Sequence, residues 1–282
     1  MRSLQAVPGA SIELACELLG LARSSYYYQG HPATDKPLEG DVETVVGQHP
    51  TYGTRRVTHQ LGRSPYAHRL NRKRIQRIMR RRGWLRPAKR VKIRTTNSQH
   101  PYPRYKNLVI DLSVTRPDEV WVSDITYIRL GQGFVYLAIV LDVFTRAVRG
   151  WHLSTTIDQE LSLAALKMAL AKDVPQIHHS DQGVQYAAHA YIDLLRTHGI
   201  YISMAAIGKA EENGYAERFM RTIKEEEVDL SDYQSFADAQ HQIGKFIQDV
   251  YNTKRIHSSL GYLTPIEFEA AWRSSRVKGT TP

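Results

Sequence analysis

The stretch from Val120 to Asp142 constrains the fold more than any other part of the chain. Val120-Trp-Val-Ser-Asp-Ile-Thr-Tyr-Ile128 is rich in β-branched and aromatic residues and half alternating. Gly131-Gln-Gly133 then turns the chain, and Phe134-Val-Tyr-Leu-Ala-Ile-Val-Leu141 is apolar without a break up to Asp142. Period-two alternation marks a strand with one buried face, and an unbroken run of this length marks a strand buried on both. The second run is the longest clean apolar segment in the sequence and falls far short of a membrane-spanning helix. Downstream the pattern alternates. A third strand is predicted over 147–153, then a helix over 160–171 with Leu161, Leu163, Ala164, Leu166 and Leu170 on its inner side. A short strand over 176–180 leads into Asp181, a helix follows over 187–198, and a last strand over 200–204. Helices are predicted over 213–228 and 235–251. Thr264-Pro-Ile-Glu267 opens a final one, with proline in its first turn and a Thr/Glu capping box. This order predicts an α/β fold with a mixed sheet of five strands and flanking helices.

Charge separates the part upstream of this sheet from the rest. Residues 1–106 hold 21 Lys and Arg against 6 Asp and Glu, a net of +15, whereas the remainder holds 17 against 22, a net of −5. No acidic residue occurs from Thr44 through Ile110, a window with 18 basic residues. A solvated face ordinarily mixes signs, because unbroken like charge repels itself. Such a window calls for a polyanionic partner, and nucleic acid is the commonest one. One cysteine, Cys16, rules out an intramolecular disulfide framework and fits a reducing cytosol. No charged-then-apolar leader opens the chain, so a cytoplasmic protein with no membrane partner is expected.

The basic part reads as small helical units. Ser11-Ile-Glu-Leu-Ala-Cys-Glu-Leu-Leu19 is amphipathic with Ser11 as N-cap. Gly20 permits a turn, and Leu21-Ala-Arg-Ser-Ser-Tyr-Tyr-Tyr28 gives a second short helix. The outline is that of a helix-turn-helix and equally of any αα-hairpin. After a Pro- and Gly-bearing link over 30–37, Thr51-Tyr-Gly-Thr-Arg-Arg-Val-Thr-His-Gln-Leu61 places Val57 and Leu61 four apart. In Asn71-Arg-Lys-Arg-Ile-Gln-Arg-Ile-Met79, Ile75 and Ile78 or Met79 form one apolar stripe. Arg72, Lys73, Arg74, Arg77, Arg80 and Arg81 occupy the remaining surface, with Asn71 as cap and Gly83 as stop. One packed face and cationic others are what a helix laid against phosphates needs. Trp84 and Lys89-Arg-Val-Lys-Ile-Arg94 extend this footprint, and Pro101 and Pro103 mark a linker. The expected division is a basic helical DNA-binding region over 1–94, a linker over 95–107, a core over 108–274 and a tail over 275–282.

Three carboxylates stand out by context. Asp124 lies in an otherwise apolar strand, where an unpaired charge is costly unless it meets solvent or a cation. Asp181 directly follows a strand, with Gly183 letting the backbone bend away behind it, and strand C-terminal ends gather sites in α/β sheets. Glu217 sits early on a helix, with Lys224 two turns along the same face. Carboxylates are the preferred ligands of the paired hard cations, roughly 3.5–4 Å apart, that drive phosphoryl transfer. Surface acids engaged in ordinary salt bridges are the other reading of such a trio.

Trp121-Val-Ser-Asp124-Ile-Thr126, His179-Ser-Asp181-Gln-Gly-Val-Gln-Tyr186 and Glu217-Arg-Phe-Met-Arg-Thr-Ile-Lys224 resemble the three signature blocks of retroviral-integrase-type transposases. They are most similar to family three of the bacterial insertion sequences, specifically its second-reading-frame product. Fifty-six residues separate Asp124 from Asp181, and 35 separate Asp181 from Glu217. Tyr251-Asn-Thr-Lys-Arg-Ile-His-Ser-Ser-Leu-Gly-Tyr-Leu-Thr-Pro265 resembles the family's closing motif. Tyr52-Gly-Thr-Arg-Arg56 and Asn71-Arg-Lys-Arg74 with Met79 resemble its helix-turn-helix-like region. The resemblance implies an RNase H-like core in which Asp124, Asp181 and Glu217 bind metal. Mg²⁺ is the natural ion and Mn²⁺ a substitute, with two ions per site when DNA is bound. It implies metal-dependent cleavage and transfer of strands at insertion-sequence ends, with Lys224 touching DNA near the cut. The implied partners are double-stranded DNA of terminal repeats and target, further copies of the chain on that DNA, and an upstream-frame partner or fusion. A bacterial cytoplasmic location, at the nucleoid during action, goes with these. The chain departs from the family in having Glu212-Asn213 where Asp-Asn is usual ahead of the glutamate, and Ala210 in place of the usual proline.

Other chemistries have weaker claims. His178-His179 invites zinc, but a strand sends adjacent side chains to opposite faces. The His/Cys zinc module of retroviral integrases needs more than one cysteine. Asp142, at a strand end, reads as a structural acid near the sheet edge. Phe236, Ile243, Phe246 and Ile247 read as core or subunit contact, and Trp84, Trp151 and Trp272 as packing. A tyrosine recombinase could draw on Arg255, His257 and Tyr262 but would not need the three acids. A non-catalytic DNA-binding regulator would not need them intact.

Overall fold

The structure, a computed structural model, describes residues 11–28, 36–63, 65–67, 70–86, 105–131, 133–206 and 209–278. The start of the 30–37 link, the basic stretch 89–94, most of the 95–107 linker, Gln132 and the end of the tail lie outside the described residues. Contacts divide the chain into two compact units, Met1–Asp41 and Val42–Pro282.

In the first unit, α1 (Ile12–Leu18) and α2 (Arg23–Tyr27) form the expected pair of short helices. Ser11 Oγ accepts from Leu14 N at 3.1 Å, and Gly20 takes the left-handed conformation (φ +61°) that the tight turn requires. A helix that the sequence reading passed over, α3 (Lys36–Gln48), runs across the division. Leu38, Val42 and Val45 are its buried residues, spaced by helical turns.

In the second unit, α4 (Thr54–Leu61) buries Val57 and Leu61, and α5 (Arg72–Arg81) buries Ile75, Ile78 and Met79. Asn71 caps α5 by accepting from Lys73 N. At the other end Trp84 N donates to Met79 O at 2.8 Å while Gly83 adopts φ +72°, a Schellman-type stop. Arg72, Lys73, Arg77, Arg80 and Arg81 are exposed and Arg74 half-buried, so the predicted split between a packed stripe and cationic faces is observed.

The sheet contains β1 (Val120–Leu130), β2 (Gly133–Asp142), β3 (Val148–Ser154), β4 (Ile177–Ser180) and β5 (Tyr201–Met204), in the order β3-β2-β1-β4-β5. β2 is antiparallel to β1 and β3, whereas β4 is parallel to β1 and to β5. The mixed five-stranded sheet expected from the alternating pattern is therefore present. Its connecting helices are α6 (Gln159–Leu170), α7 (Val184–Ala187) and α8 (His189–Thr197). After β5 come α9 (Gly214–Glu226), α10 (Phe236–Lys245), a π-helical turn at Phe246–Tyr251 and α11 (Pro265–Lys278). Two predicted helices thus break: the 187–198 helix begins with a separate turn at 184, and the 235–251 helix changes pitch at Phe246. On α6 the inward residues are Leu161, Leu163, Ala165, Leu166 and Ala169, with Ala164 and Leu170 only half-buried. The predicted capping box closes α11: Thr264 N donates to Glu267 Oε2 and Glu267 N to Thr264 Oγ1.

Alternation sorts the sheet's side chains between two layers. Val120, Val122, Leu137, Ile139 and Leu141 pack with Ala216, Phe219, Met220 and Ile223 of α9 and with Ile243, Phe246 and Ile247. Trp121, Ala138 and Val140 face α6 instead. Each large side chain so buried contributes about 1.5–3 kcal/mol, which fixes α9 firmly across β1. Phe236 and Trp151 pack against the same core, so the α10 residues serve the interior.

Candidate active site

Asp124 follows Val120 and Val122 at period two, which puts it on the α9 face of the sheet. It is 7% exposed, and its Oδ1 accepts from Ile125 N at 2.9 Å. In the parallel β1–β4 pair the register ends with Ser123 opposite Ser180; Asp124 is the next residue of β1, and Asp181 directly follows the end of β4. Asp181 Oδ1 accepts from Gly183 N at 2.9 Å, which turns the chain away from the sheet. A Cβ at Gly183 would stand 3.0 Å from that same oxygen, so a larger residue would press on the Asp181 carboxylate.

Glu217 lies in the first turn of α9. The helix is tied to the strand of Asp124 by the buried Asn213, whose Nδ2 donates to Ser123 O at 3.0 Å. Glu212, the residue departing from the family pattern, holds the approach to this turn. It accepts from Asn107 Nδ2 at 2.6 Å and Ala206 N at 2.8 Å, and pairs with Lys209. These hydrogen bonds lower its carboxyl pKa, the Ala206 amide foremost. Lys224 shares the face of Glu217 two turns on, and its Nζ stands 4.6 Å from the ring centroid of Tyr127 on β1.

Tyr186 completes the surroundings and was not singled out from the sequence. Its hydroxyl is buried without a hydrogen-bond partner, and burial raises its pKa well above the usual phenol value, reinforced by the charges of Asp124, Tyr191 and Asp181. Both aspartates thus act on one phenol. The donor set, three carboxylates on rigid elements, suits a hard divalent cation in its chemistry. In arrangement, one aspartate is on β1, the second follows β4, which pairs with β1, and the glutamate is in the first turn of α9, which packs against β1. Among the described residues, no three His, Cys, Asp or Glu side chains converge into a ready ligand cage.

Comparison with known proteins gives the family. Residues 114–210 and 198–265 each match an integrase core domain, and residues 35–92 match an HTH-like domain. The transposase of insertion sequence IS904 from Lactococcus lactis subsp. lactis is 33% identical over 237 residues, 82% of this chain and 93% of that protein. The Shigella sonnei IS629 transposase is 31% identical over 92% of each chain. Transposase InsF of IS3A from Escherichia coli K12 is 31% identical over 92% of this chain and 94% of its own length. The chain belongs to the IS3 family of insertion-sequence transposases. It is a DNA transposase with an integrase core preceded by an HTH-like domain. Among solved structures, the HTLV-2 integrase catalytic core domain in complex with magnesium aligns with a TM-score of 0.45 and 17% identity, over 55% of this chain and 97% of that one.

The remaining polar residues of the transposase are accounted for structurally. His178 Nε2 lies 2.8 Å from Ser123 Oγ and 2.9 Å from Tyr191 Oη, while His179 Nδ1 lies 2.8 Å from Ser203 Oγ. The two rings stitch β4 to β1, α8 and β5 on opposite faces of the sheet. Burial pushes the His178 pKa down to about 3 and the His179 pKa to about 4, so both rings are neutral. Asp142 is fully buried and accepts from Asp118 N and from the Thr145 amide and hydroxyl, with Arg149 alongside. It shapes the turn into β3, as expected of a structural acid. Arg255 is spent on Glu226, at 2.7 and 2.8 Å, and Tyr262 stacks on His59 at 3.5 Å, which leaves no assembled tyrosine-recombinase site there. No helix among the described residues is long and apolar enough to cross a membrane.

Proposed function

We propose that Asp124, Asp181 and Glu217 are the catalytic acids of this transposase and bind divalent cations, Mg²⁺ by nature and Mn²⁺ in substitution, two per site once DNA is present. What supports this reading is the parallel β1–β4 register, which brings the residues just before Asp124 and Asp181, Ser123 and Ser180, opposite each other on a sheet packed against the helix of Glu217. When bound, the cations supply Lewis-acid activation of the attacking oxygen and charge stabilisation at the leaving one. The chain's own work is positional. Ile125 N and Gly183 N each donate to one carboxylate oxygen of the aspartates, which fixes the orientation of both side chains. Asn213 keeps the first turn of α9 against β1, so Glu217 remains with them as the third ligand. Lys224 contributes a cation for a phosphate close to the cut.

The reaction so supported is cleavage of a phosphodiester by water and transfer of the 3′ end to target DNA, without a covalent protein intermediate. The exposed arginines of α5 bind the duplex backbone, several copies assemble on the element ends, and an upstream-frame segment acts with the chain. We take 1–94, 95–107, 108–274 and 275–282 as DNA-binding region, linker, core and tail. Mn²⁺ titration followed by calorimetry tests the ligand set. Glu217→Gln and Asp124→Asn should each weaken binding at least tenfold with the fold intact. Wild-type affinity in both variants would remove these acids from the site.

A further inference from the structure

A cavity of about 600 Å³ is lined by residues of α4, α5 and α9 among others, and includes none of the three acids. Its walls carry Arg55, Arg56, Arg72, Arg86, Arg218 and Arg221, against two acids, Glu225 and Glu226. The acids do not neutralise it. Glu226 is already held by Arg255 from behind and by Arg56 at 3.3 Å, and Arg255 with the other hydrogen bonds keeps its carboxyl ionised despite burial. Arg55, Arg72, Arg218 and Arg221 are exposed and form no ion pair among the described residues. Arg86 is aimed by its own hydrogen bond to Thr51 O at 3.0 Å. Gly53, the N-cap of α4, offers no side-chain acceptor, so the first amides of this eight-residue helix open toward the same space. Six guanidinium groups against two carboxylates, with a helix N-terminus alongside, leave the cavity net cationic and suited to an anion.

The cavity is also connected to the reaction by a rigid element. Arg221 follows Glu217 by four residues on α9, on the same face and about 6 Å further along the axis. A backbone lying on Glu217 and continuing along α9 would enter the cavity within a few nucleotides.

We propose that this cavity is a DNA-backbone site, sharing Arg72 with α5 but distinct from the face of Arg77, Arg80 and Arg81, that holds phosphodiester groups of the duplex being cut. This rests on the reading of Glu217 as catalytic, and it makes α9 a single ruler with the reacting phosphate at its first turn and the gripped phosphates beyond. Guanidinium forks suit this ligand because they pair with phosphate oxygens two at a time.

The test is the salt dependence of binding of the full chain to a fluorescent duplex of about 30 base pairs, between 50 and 200 mM salt. Each lost phosphate contact makes log K against log[salt] shallower by about 0.9. Arg55→Gln with Arg221→Gln, one from each wall, should flatten the slope by about 1.8. Across this range the double variant should therefore lose about tenfold less affinity than the wild type. Both residues are exposed, so the melting temperature should stay put, and Arg55→Lys with Arg221→Lys should keep most of the slope. A wild-type slope in the double Gln variant overturns the proposal. Arg77→Gln with Arg80→Gln, read in the same titration, judges the α5 face on its own: flattening there alone leaves α5 as the DNA face and eliminates the cavity. Catalysis is judged separately by cleavage with Glu217→Gln, whose binding slope should equal the wild type's.

Discussion

Acidification from pH 7 to pH 5 should weaken the fold, because imidazoles are buried in places that reject a proton, His178 and His257 most strongly. Burial holds the His178 pKa down at about 3. At His257, burial together with the charges of Arg255, Arg56, Arg146 and Arg218 lowers it to about 2. In the unfolded chain both titrate near 6.5. Below that value the unfolded state binds a proton at each site and the native state does not, so the stability these rings provide above pH 6.5 is lost as the pH falls. From pH 7 to pH 5 the loss is about 2 kcal/mol per ring, about 4 kcal/mol for the pair. Asp118 works in the opposite direction: burial raises its carboxyl to about 6, despite Arg149. The native state therefore takes up this proton before the unfolded state does, which adds about 1 kcal/mol of stability over the same interval. These three groups together lose about 3 kcal/mol, and His179, which burial holds at about 4, adds about 2 kcal/mol in the same direction, a large part of the 5–15 kcal/mol typical of a domain. Urea unfolding at pH 7, 6 and 5 measures it, and His257→Gln should remove about 2 kcal/mol of the drop. Equal stability at pH 7 and pH 5, or an unchanged drop in the variant, would refute the reasoning.

Two substitutions probe the framework. Gly150→Ala on β3 would set a Cβ 2.2 Å from Ala165 O and 2.8 Å from Ala169 N of α6, backbone atoms that cannot swing aside. It should cost about 1–3 kcal/mol or more, read as a fall in the urea midpoint. Asn213→Ala leaves Ser123 O without its buried donor and should cost about 1–3 kcal/mol. Because α9 then loses its tie beside Asp124, strand cleavage should fall further than DNA binding in the same preparation.

Much of this was legible in the sequence, for local reasons. The strands around Asp124, the strand ending at Asp181 and the helix opening at Asn213 announce themselves through period-two or helical spacing and short turn signals. α3 was passed over because Pro37 closes the 30–37 link and Gly40 and Gly47 weaken the helical signal after it, although Leu38, Val42 and Val45 keep a helical stripe. The break between α7 and α8 falls at Ala188, whose extended backbone (ψ 140°) no residue type there foretells. The change of pitch at Phe246 follows from core packing and leaves no mark in the pattern. In the site, bringing Ser123 opposite Ser180, just ahead of Asp124 and Asp181, depends on which strands pair, and spacing does not reveal pairing. The signal for Tyr186 was its place five residues after Asp181, within reach of the turn that Gly183 allows. The arginine cavity joins residues more than 160 positions apart, Arg55 and Arg218 among them, and only the fold brings them together.

Cleavage and joining of labelled element-end DNA in Mg²⁺ or Mn²⁺, wild type beside Asp181→Asn, addresses the central claim most directly. The exchange keeps the side chain's shape and removes its charge. If the carboxylates hold the catalytic metal, the wild type cuts and joins, while the variant binds the same DNA equally well and does neither. Equal cutting by both proteins would contradict the assignment of Asp124, Asp181 and Glu217.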